Sequence, residues 1–382
     1  MIFGLSGRDR AFALRLLRET VVWRARLDRA LARYCSRPLE TLEEPVLAAL
    51  RAGAAQLLIL GTPPHAAVSE TVSALKGHRA GGLVNAVLRK LAAEGEPDTG
   101  SASLAERWSH PADLVDRWIS RFGTERTIRL MEWNNGVPAI GACIGKAGDD
   151  PECGGRYLGD YRVLQRSGSS PLGSLDCPAY IQDEAAALVG RSMAAMAAGG
   201  EVLEIGAAPG GKTHHLQASA SLVISMDSSP ARMERWAQNR RRLGWTGAFP
   251  LVGSGTAPPL ARQFDMVLVD SPCTNTGVYR RRPDARWNWS SAYLIQMAGL
   301  QRNLLDSAAE LVAPSGVLAY STCSLEDEEN VQQVERFESI HGDYRRVDLQ
   351  VPAELASEGM ISIFPTEHGI DGLFAAAWRR ET

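Results

Sequence analysis

Apolar residues recur at helical spacing from about Arg8 to Ala93, with Val68, Val72 and Leu75 on one stripe and Leu83, Val84, Val87, Leu88 and Leu91 on another. Pro63-Pro64 and Gly81-Gly82 interrupt the pattern where turns are needed. Residues 1–94 are therefore predicted to form a compact helical domain. Residues 95–103 are polar and rich in helix breakers, which reads as a linker. A second helical stretch near Pro111 to Met131 opens a connecting segment, 104–170, whose later part mixes glycine with short apolar runs and specifies no clear element. After Pro171 the period changes. Short apolar strands over 201–206, 222–227, 248–252, 265–270 and 316–321 alternate with helices, one running through Arg240 and a long one from Tyr293 to Leu311. This alternation predicts an α/β domain over 171–382 with a mainly parallel, doubly wound sheet. Such sheets bind ligands beyond the carboxyl ends of their strands.

Composition narrows the class without naming it. At 382 residues the chain is long enough for two or three domains, and 45% hydrophobic with 22% charged residues describes a globular protein. No uninterrupted apolar run is long enough to span a bilayer, and the first residues lack the features of a signal peptide, so the cytoplasm is the expected location. The six cysteines include no Cys-x-x-Cys pair, which argues against structural zinc and a disulfide framework. Cys35, Cys143, Cys153 and Cys177 are expected to be small buried apolar residues. A net charge of −3 excludes a uniformly basic surface but leaves room for a local basic face.

The strand ends carry the candidate chemistry. The first strand runs into Gly206-Ala-Ala-Pro-Gly-Gly-Lys-Thr213 and then a helix, where small residues let a ligand approach the backbone. The spacing is not that of a phosphate-binding loop. The second strand ends in Asp227, 23 residues beyond Glu204, a place suited to ribose hydroxyls; the same residue could instead cap the helix near Pro230. The fourth and fifth strands end in Asp270-Ser-Pro-Cys273 and Ser321-Thr-Cys-Ser324, which puts two thiols on the ligand rim. A thiolate that adds to carbon 6 of a cytosine makes carbon 5 able to attack an electrophilic methyl group, and a second thiol can assist release. Asp270 suits a contact at ring nitrogen 3. The attacking thiol needs a lowered pKa, for which a helix N-terminus is the expected source.

At these residues the chain resembles the RsmB/Sun family of RNA cytosine-5 methyltransferases. The resemblance rests on Tyr180-Ile-Gln-Asp183, Ala207-Ala-Pro-Gly-Gly-Lys-Thr213, Asp270-Ser-Pro-Cys273, Arg281-Arg-Pro-Asp-Ala-Arg-Trp287, Tyr320-Ser-Thr-Cys-Ser324 and Asp371-Gly-Leu-Phe374. Pro63-Pro-His-Ala-Ala67, Glu70-Thr-Val72 and Gly82-Leu-Val-Asn-Ala-Val-Leu-Arg89 resemble the NusB-like domain of the RsmB branch, and Trp108-Ser-His-Pro111 and Asn134-Asn135 the segment that follows it. The resemblance implies a helical NusB-like, RNA-binding N-terminal domain followed by a Rossmann-like methyltransferase domain with a late antiparallel strand. By the same resemblance, Cys323 is the nucleophile, Cys273 serves product release and Asp270 contacts the base. Gly206, Ala207, Ala208, Pro209, Gly210, Gly211, Lys212 and Asp227 hold S-adenosylmethionine, with Asp270 and Ser254 at its edge.

Three departures qualify that expectation. Gly253-Ser254 stands where the family usually has an acidic residue near the adenine, so weakened cofactor affinity is expected, by about 1–2 kcal/mol. Gly206 replaces a cysteine found in many members, which is expected to be benign. The N-terminal domain begins late, as if lacking its first helix. Just beyond Cys273, Arg280, Arg281, Arg282 and Arg286 sit among Tyr279, Trp287 and Trp289, and Arg281, Arg282, Arg286 and Trp287 are expected to contact RNA. Arg240 to Arg242 read instead as charges complementing a helix end. The expected substrate is RNA, with small-subunit ribosomal RNA ahead of transfer RNA, and the expected state is a monomer. An inactive RNA-binding scaffold is the rival reading; an exocyclic-amine methyltransferase is disfavoured by Asp-Ser-Pro-Cys.

Overall fold

The computed structural model describes residues 6–97, 99–143, 154–164 and 179–382; Cys153 and Cys177 lie outside them. Two compact units emerge, one of residues 1–136 with 282–289 and one of residues 137–281 with 290–382. The division at Gly136 puts the expected linker and the helices after it in the first unit.

The first unit contains α1 (Gly7–Val22), α2 (Arg24–Ala32), α3 (Glu44–Leu58), α4 (Pro64–Ala74), α5 (Gly81–Glu94), α6 (Leu104–Trp108), α7 (Ala112–Phe122) and α8 (Thr124–Asn135). Leu27, Leu31, Val46, Leu50, Val68, Val84, Val87, Leu88 and Leu91 close a single core among the first five, while Val72, Leu75 and Leu83 pack at its margin. The helix expected over Pro111 to Met131 is two helices, because Gly123 turns the chain at φ +79°. Ser103 and Glu106 cap α6 reciprocally.

Residues 282–289 supply this unit with anchors. Arg286 is fully buried and donates to the backbone oxygens of Ser109 (3.2 Å) and Asn134 (3.0 Å) and to Asn135 Oδ1 (2.7 Å). Its guanidinium thereby satisfies a carbonyl left open at the end of α8. Trp287 Nε1 donates to Val21 O at 2.8 Å, and the Arg24 guanidinium lies 5.1 Å from the indole centroid. Arg286, fully buried and committed to these acceptors, is not presented to a ligand, which corrects the expectation that it contacts RNA; Trp287 is partly exposed. Arg286→Ala is expected to lower the stability of the protein by about 3 kcal/mol or more, since three buried acceptors lose their donor at about 1–3 kcal/mol each. Denaturant titration measures this; unchanged stability with weakened RNA binding would restore the phosphate-contact reading.

The second unit carries a small antiparallel sheet of β1 (Ile140–Cys143), β2 (Tyr161–Leu164) and β3 (Tyr180–Ile181), in the order β2-β1-β3. Its main sheet contains β4 (Glu201–Ile205), β5 (Leu222–Asp227), β6 (Ala248–Val252), β7 (Phe264–Asp270), β8 (Val312–Thr322), β9 (Tyr344–Arg346), β10 (Ala356–Ser357), β11 (Met360–Ile363) and β12 (Leu373–Arg380). The order is β10-β11-β12-β8-β7-β4-β5-β6, with β9 also on β12. The five strands from β6 to β8 are parallel, and β12 pairs with β8 antiparallel.

Side chains along the central strands alternate between two cores. Val202, Met266 and Leu268 face one side with residues of α9 (Glu184–Met196), α10 (Thr213–Leu216) and α11 (Pro230–Leu243). Leu203, Ile205, Val267 and Val269 face the other with α12 (Ser291–Ala309) and α13 (Val331–Ile340). A short α14 (Pro365–His368) precedes β12. Burial of both faces explains why these strands read as continuous apolar runs. The strand order reverses between β4 and β7, so a crevice is expected beyond their carboxyl ends. No helix among the described residues is long and apolar enough to cross a membrane.

Candidate active site

Residues 206–212 leave β4 at the switch point. Gly206 has φ +81°, and a Cβ there would run into the backbone oxygen of Asp270 at the end of β7. Glycine is required for this approach, and the backbone N–H groups of Gly206 and Ala207 both donate to Met226 O at the end of β5. Ala208, Pro209, Gly210 and Gly211 continue the turn into α10. Under the turn, Thr213 and Ser225 donate their hydroxyls to the buried Glu204, whose carboxyl is pushed up to about 7 by burial.

Asp227 is not the cap of α11. Ser229 caps α11, its Oγ accepting from Arg232 N–H at 3.3 Å. Asp227 Oδ1 accepts from Ser229 N–H and pairs with the Arg232 guanidinium, each at 2.9 Å. Its Oδ2 is buried with no hydrogen-bond partner. A buried carboxylate oxygen with spare acceptor capacity beside a glycine turn fits the ribose hydroxyls of a nucleoside. Ser254, exposed beyond β6, shares a hydrogen bond with Thr256 at 2.9 Å. The three arginines expected at a helix end do form the last turn of α11.

The reacting side of the crevice is built from the ends of β7 and β8. Lys212 Nζ lies 2.7 Å from Asp270 Oδ1, which also accepts the Ser321 hydroxyl at 3.1 Å. The sulfur atoms of Cys273 and Cys323 are 3.3 Å apart. Cys273 is buried and Cys323 partly exposed. The hydrogen bond with Cys323, and then burial, raises the Cys273 thiol well above its ordinary pKa. Asn275, at φ +61°, donates to Cys273 O (2.8 Å) and offers its Oδ1 to the Cys323 thiol (3.4 Å). Among the described residues, the hydrogen-bond contacts of the Cys323 sulfur are Cys273 and Asn275, and a helix N-terminus is not one of them.

A buried carboxylate locks the two cysteine loops together. Glu329 accepts from Thr274 N–H (2.9 Å), the Thr274 and Ser324 hydroxyls, and Gln301 Nε2 (3.0 Å). Burial raises its pKa. Thr274 follows one cysteine and Ser324 the other, so this residue fixes the separation of the sulfurs. Sequence reasoning missed Glu329 and Asn275; one ends a single 3-10 turn, Asp327–Glu329, and the other lies in a loop, and neither is long enough for periodicity to mark a functional side chain.

Arg281 belongs to the architecture of the site. It donates to Asp371 Oδ2 (2.5 Å), Asp183 Oδ2 (2.6 Å) and Ala139 O (2.7 Å). A guanidinium committed to two carboxylates is not offered to phosphate, which corrects that expectation. Arg282 is exposed and pairs loosely with Asp284 at 3.5 Å. Asp183, Lys212, Asp270, Cys323 and Asp371 line a cavity of about 160 Å³. The cavity thus brings together the nucleophile candidate, an ion pair and two further acids.

The family described as 16S rRNA methyltransferase RsmB/F matches residues 193–379, and the NusB family matches residues 2–93. The chain is 31% identical to the ribosomal RNA small subunit methyltransferase B of Pasteurella multocida, over 93% of this chain and 84% of that protein. The crystal structure of PH0851 superposes with a TM-score of 0.83 at 23% identity, covering 98% of this chain and 90% of the other. NSun6 from Pyrococcus horikoshii, solved with SFG, an S-adenosylmethionine analogue, superposes with a TM-score of 0.50 at 25% identity over 59% and 58% of the two chains. The protein belongs to the RsmB/F family of S-adenosylmethionine-dependent ribosomal RNA methyltransferases, with a NusB-family helical domain at its N-terminal end.

Proposed function

We propose that this enzyme forms 5-methylcytosine in small-subunit (16S) ribosomal RNA, acting in the cytoplasm as a monomer. The observation that carries the reading is the pair of sulfurs 3.3 Å apart beside the Lys212–Asp270 ion pair. When bound, S-adenosylmethionine supplies an electrophilic methyl group; residues 206–212 and Asp227 are the groups that hold it. Cys323 Sγ adds to carbon 6 of the cytosine, and the displaced electron pair makes carbon 5 nucleophilic. At ring nitrogen 3, where negative charge collects during addition, Asp270 relays a proton from the Lys212 ammonium paired with it and takes it back when the sulfur leaves.

After methylation, carbon 5 must lose its proton and carbon 6 its sulfur. Cys273 takes that proton, and the carbon–sulfur bond then breaks to return Cys323. The shift at Cys273 supports this order of events. Its largest cause is the hydrogen bond with Cys323, so the thiol keeps its proton while Cys323 is free. Once Cys323 is a thioether, that restraint weakens, so Cys273 releases its own proton to solvent and stands as the thiolate that takes the one from carbon 5.

The test is incubation with methyl-labelled S-adenosylmethionine and unmodified small-subunit ribosomal RNA, followed by nucleoside analysis. Label in 5-methylcytosine is expected. Label on transfer RNA alone would keep the chemistry and change the substrate, and tight RNA binding without transfer to any RNA would favour a scaffold.

A further inference from the structure

Asp371 has a chemistry that the steps above leave unused. It is 1% exposed, and it lines the same cavity as Cys323, Lys212 and Asp270. Its Oδ2 takes the Arg281 Nε–H at 2.5 Å, and its backbone N–H donates to Asp183 Oδ1 at 3.1 Å. Arg281 in turn donates to Asp183 Oδ2, so Asp371 is held through both its carboxylate and its backbone. The remaining oxygen, Oδ1, is buried and has no partner. A clamped carboxylate with one dry, unsatisfied oxygen at the wall of a cavity is costly unless a ligand donor completes it.

Its neighbourhood is fixed by close backbone contacts. Gly372 N–H donates to Gly277 O (2.8 Å) and Gly277 N–H to Cys323 O (2.9 Å). A Cβ on Gly277 would lie 2.5 Å from Gly372 O and 2.9 Å from Cys323 O, closer than atoms tolerate. In the sheet, Phe374 stands opposite Thr322, which puts the residues before β12 beside the nucleophile loop.

Resting on the 5-methylcytosine reading, we infer that Asp371 Oδ1 accepts a hydrogen bond from the exocyclic amine of the target cytosine and so selects cytosine over uracil. An ionised carboxylate only accepts hydrogen bonds. Cytosine offers a donor at carbon 4, whereas uracil offers a carbonyl oxygen that the carboxylate repels. Burial, and then the neighbouring Asp183, push the carboxyl up to about 6, which leaves it ionised at neutral pH. Asp183 and Arg281 are positioning residues in this scheme.

The test compares kcat/KM of the full-length enzyme and its Asp371→Ala and Asp371→Asn variants. The substrates are the target RNA carrying cytosine, and the same RNA carrying 2-pyrimidinone, which lacks the amine, at that position. Asp371→Ala is expected to lower activity on cytosine by about 10- to 100-fold. It is expected to change activity on 2-pyrimidinone by no more than about threefold, because no amine contact is lost there. Asp371→Asn keeps an acceptor oxygen and is expected to fall between, and unchanged S-adenosylmethionine affinity in both variants checks the fold. Equal losses on both substrates would overturn the inference, because a structural prop would act on both; so would no loss on either. If the wild type formed no 5-methylcytosine in any RNA, the parent reading would fail, and the inference with it.

Discussion

Cys323→Ala is expected to lower methyl transfer by at least about 10³-fold, in keeping with removal of a covalent nucleophile. Cys273→Ala is expected to do something different: to accumulate a protein–RNA adduct that survives denaturing electrophoresis. The structure gives the reason for the asymmetry. Cys323 is the partly exposed sulfur on the cavity wall, while Cys273 is buried behind it. In Cys273→Ala the addition still has its nucleophile and the Lys212–Asp270 pair, but no thiol is left to take the carbon 5 proton. Neither variant should lose its fold, since Glu329 holds both loops through Thr274 and Ser324 rather than through either sulfur. The double variant should give no adduct. An adduct from Cys323→Ala and none from Cys273→Ala would exchange the two roles, and full activity in both would end the covalent reading.

What was legible in the sequence follows from what local physics can mark. Strands β4, β5, β6 and β7 are apolar runs bounded by turn residues, and each is found within a residue of its expected place. The thiols at the strand ends were legible because doubly wound topology puts carboxyl ends on one rim. The turn after β4 announced itself through glycines that the crowding at Asp270 requires. Within the arginine-rich segment, composition does not separate an RNA contact from a structural anchor; only tertiary contacts reveal that Arg286 is buried and Arg281 is doubly paired, while Arg282 stays exposed. The region after Gly136 resisted prediction because its strands are only two to four residues long and pair across distant segments. Asp183 and Asp371 stood within quoted motifs, yet their convergence on Arg281 spans 188 residues of sequence, which no spacing rule reaches.

Asp227→Ala is expected to weaken S-adenosylmethionine binding by roughly 10- to 100-fold, the loss of one or two hydrogen bonds to a charged acceptor. The residue meets three conditions for that effect. It ends β5 next to the glycine turn, its side chain is buried, and one oxygen lacks any partner. Its loss should cost little elsewhere, because Arg232 is about half exposed and keeps its hydration, and Ser229 continues to cap α11. Calorimetric titration with S-adenosylmethionine in the absence of RNA measures this independently of the substrate. Ser254→Asp provides the opposite sign in the same assay. The serine is exposed and bonded to Thr256, so an acid in its place has room and solvent, and a gain of about 1–2 kcal/mol is expected if the adenine lies at this edge. Unchanged affinity in Ser254→Asp would mean the adenine is held without a charged acceptor there. Unchanged affinity in Asp227→Ala would be more serious, because the unpaired oxygen would then need another explanation, and the nucleoside would have to be placed on a different strand end.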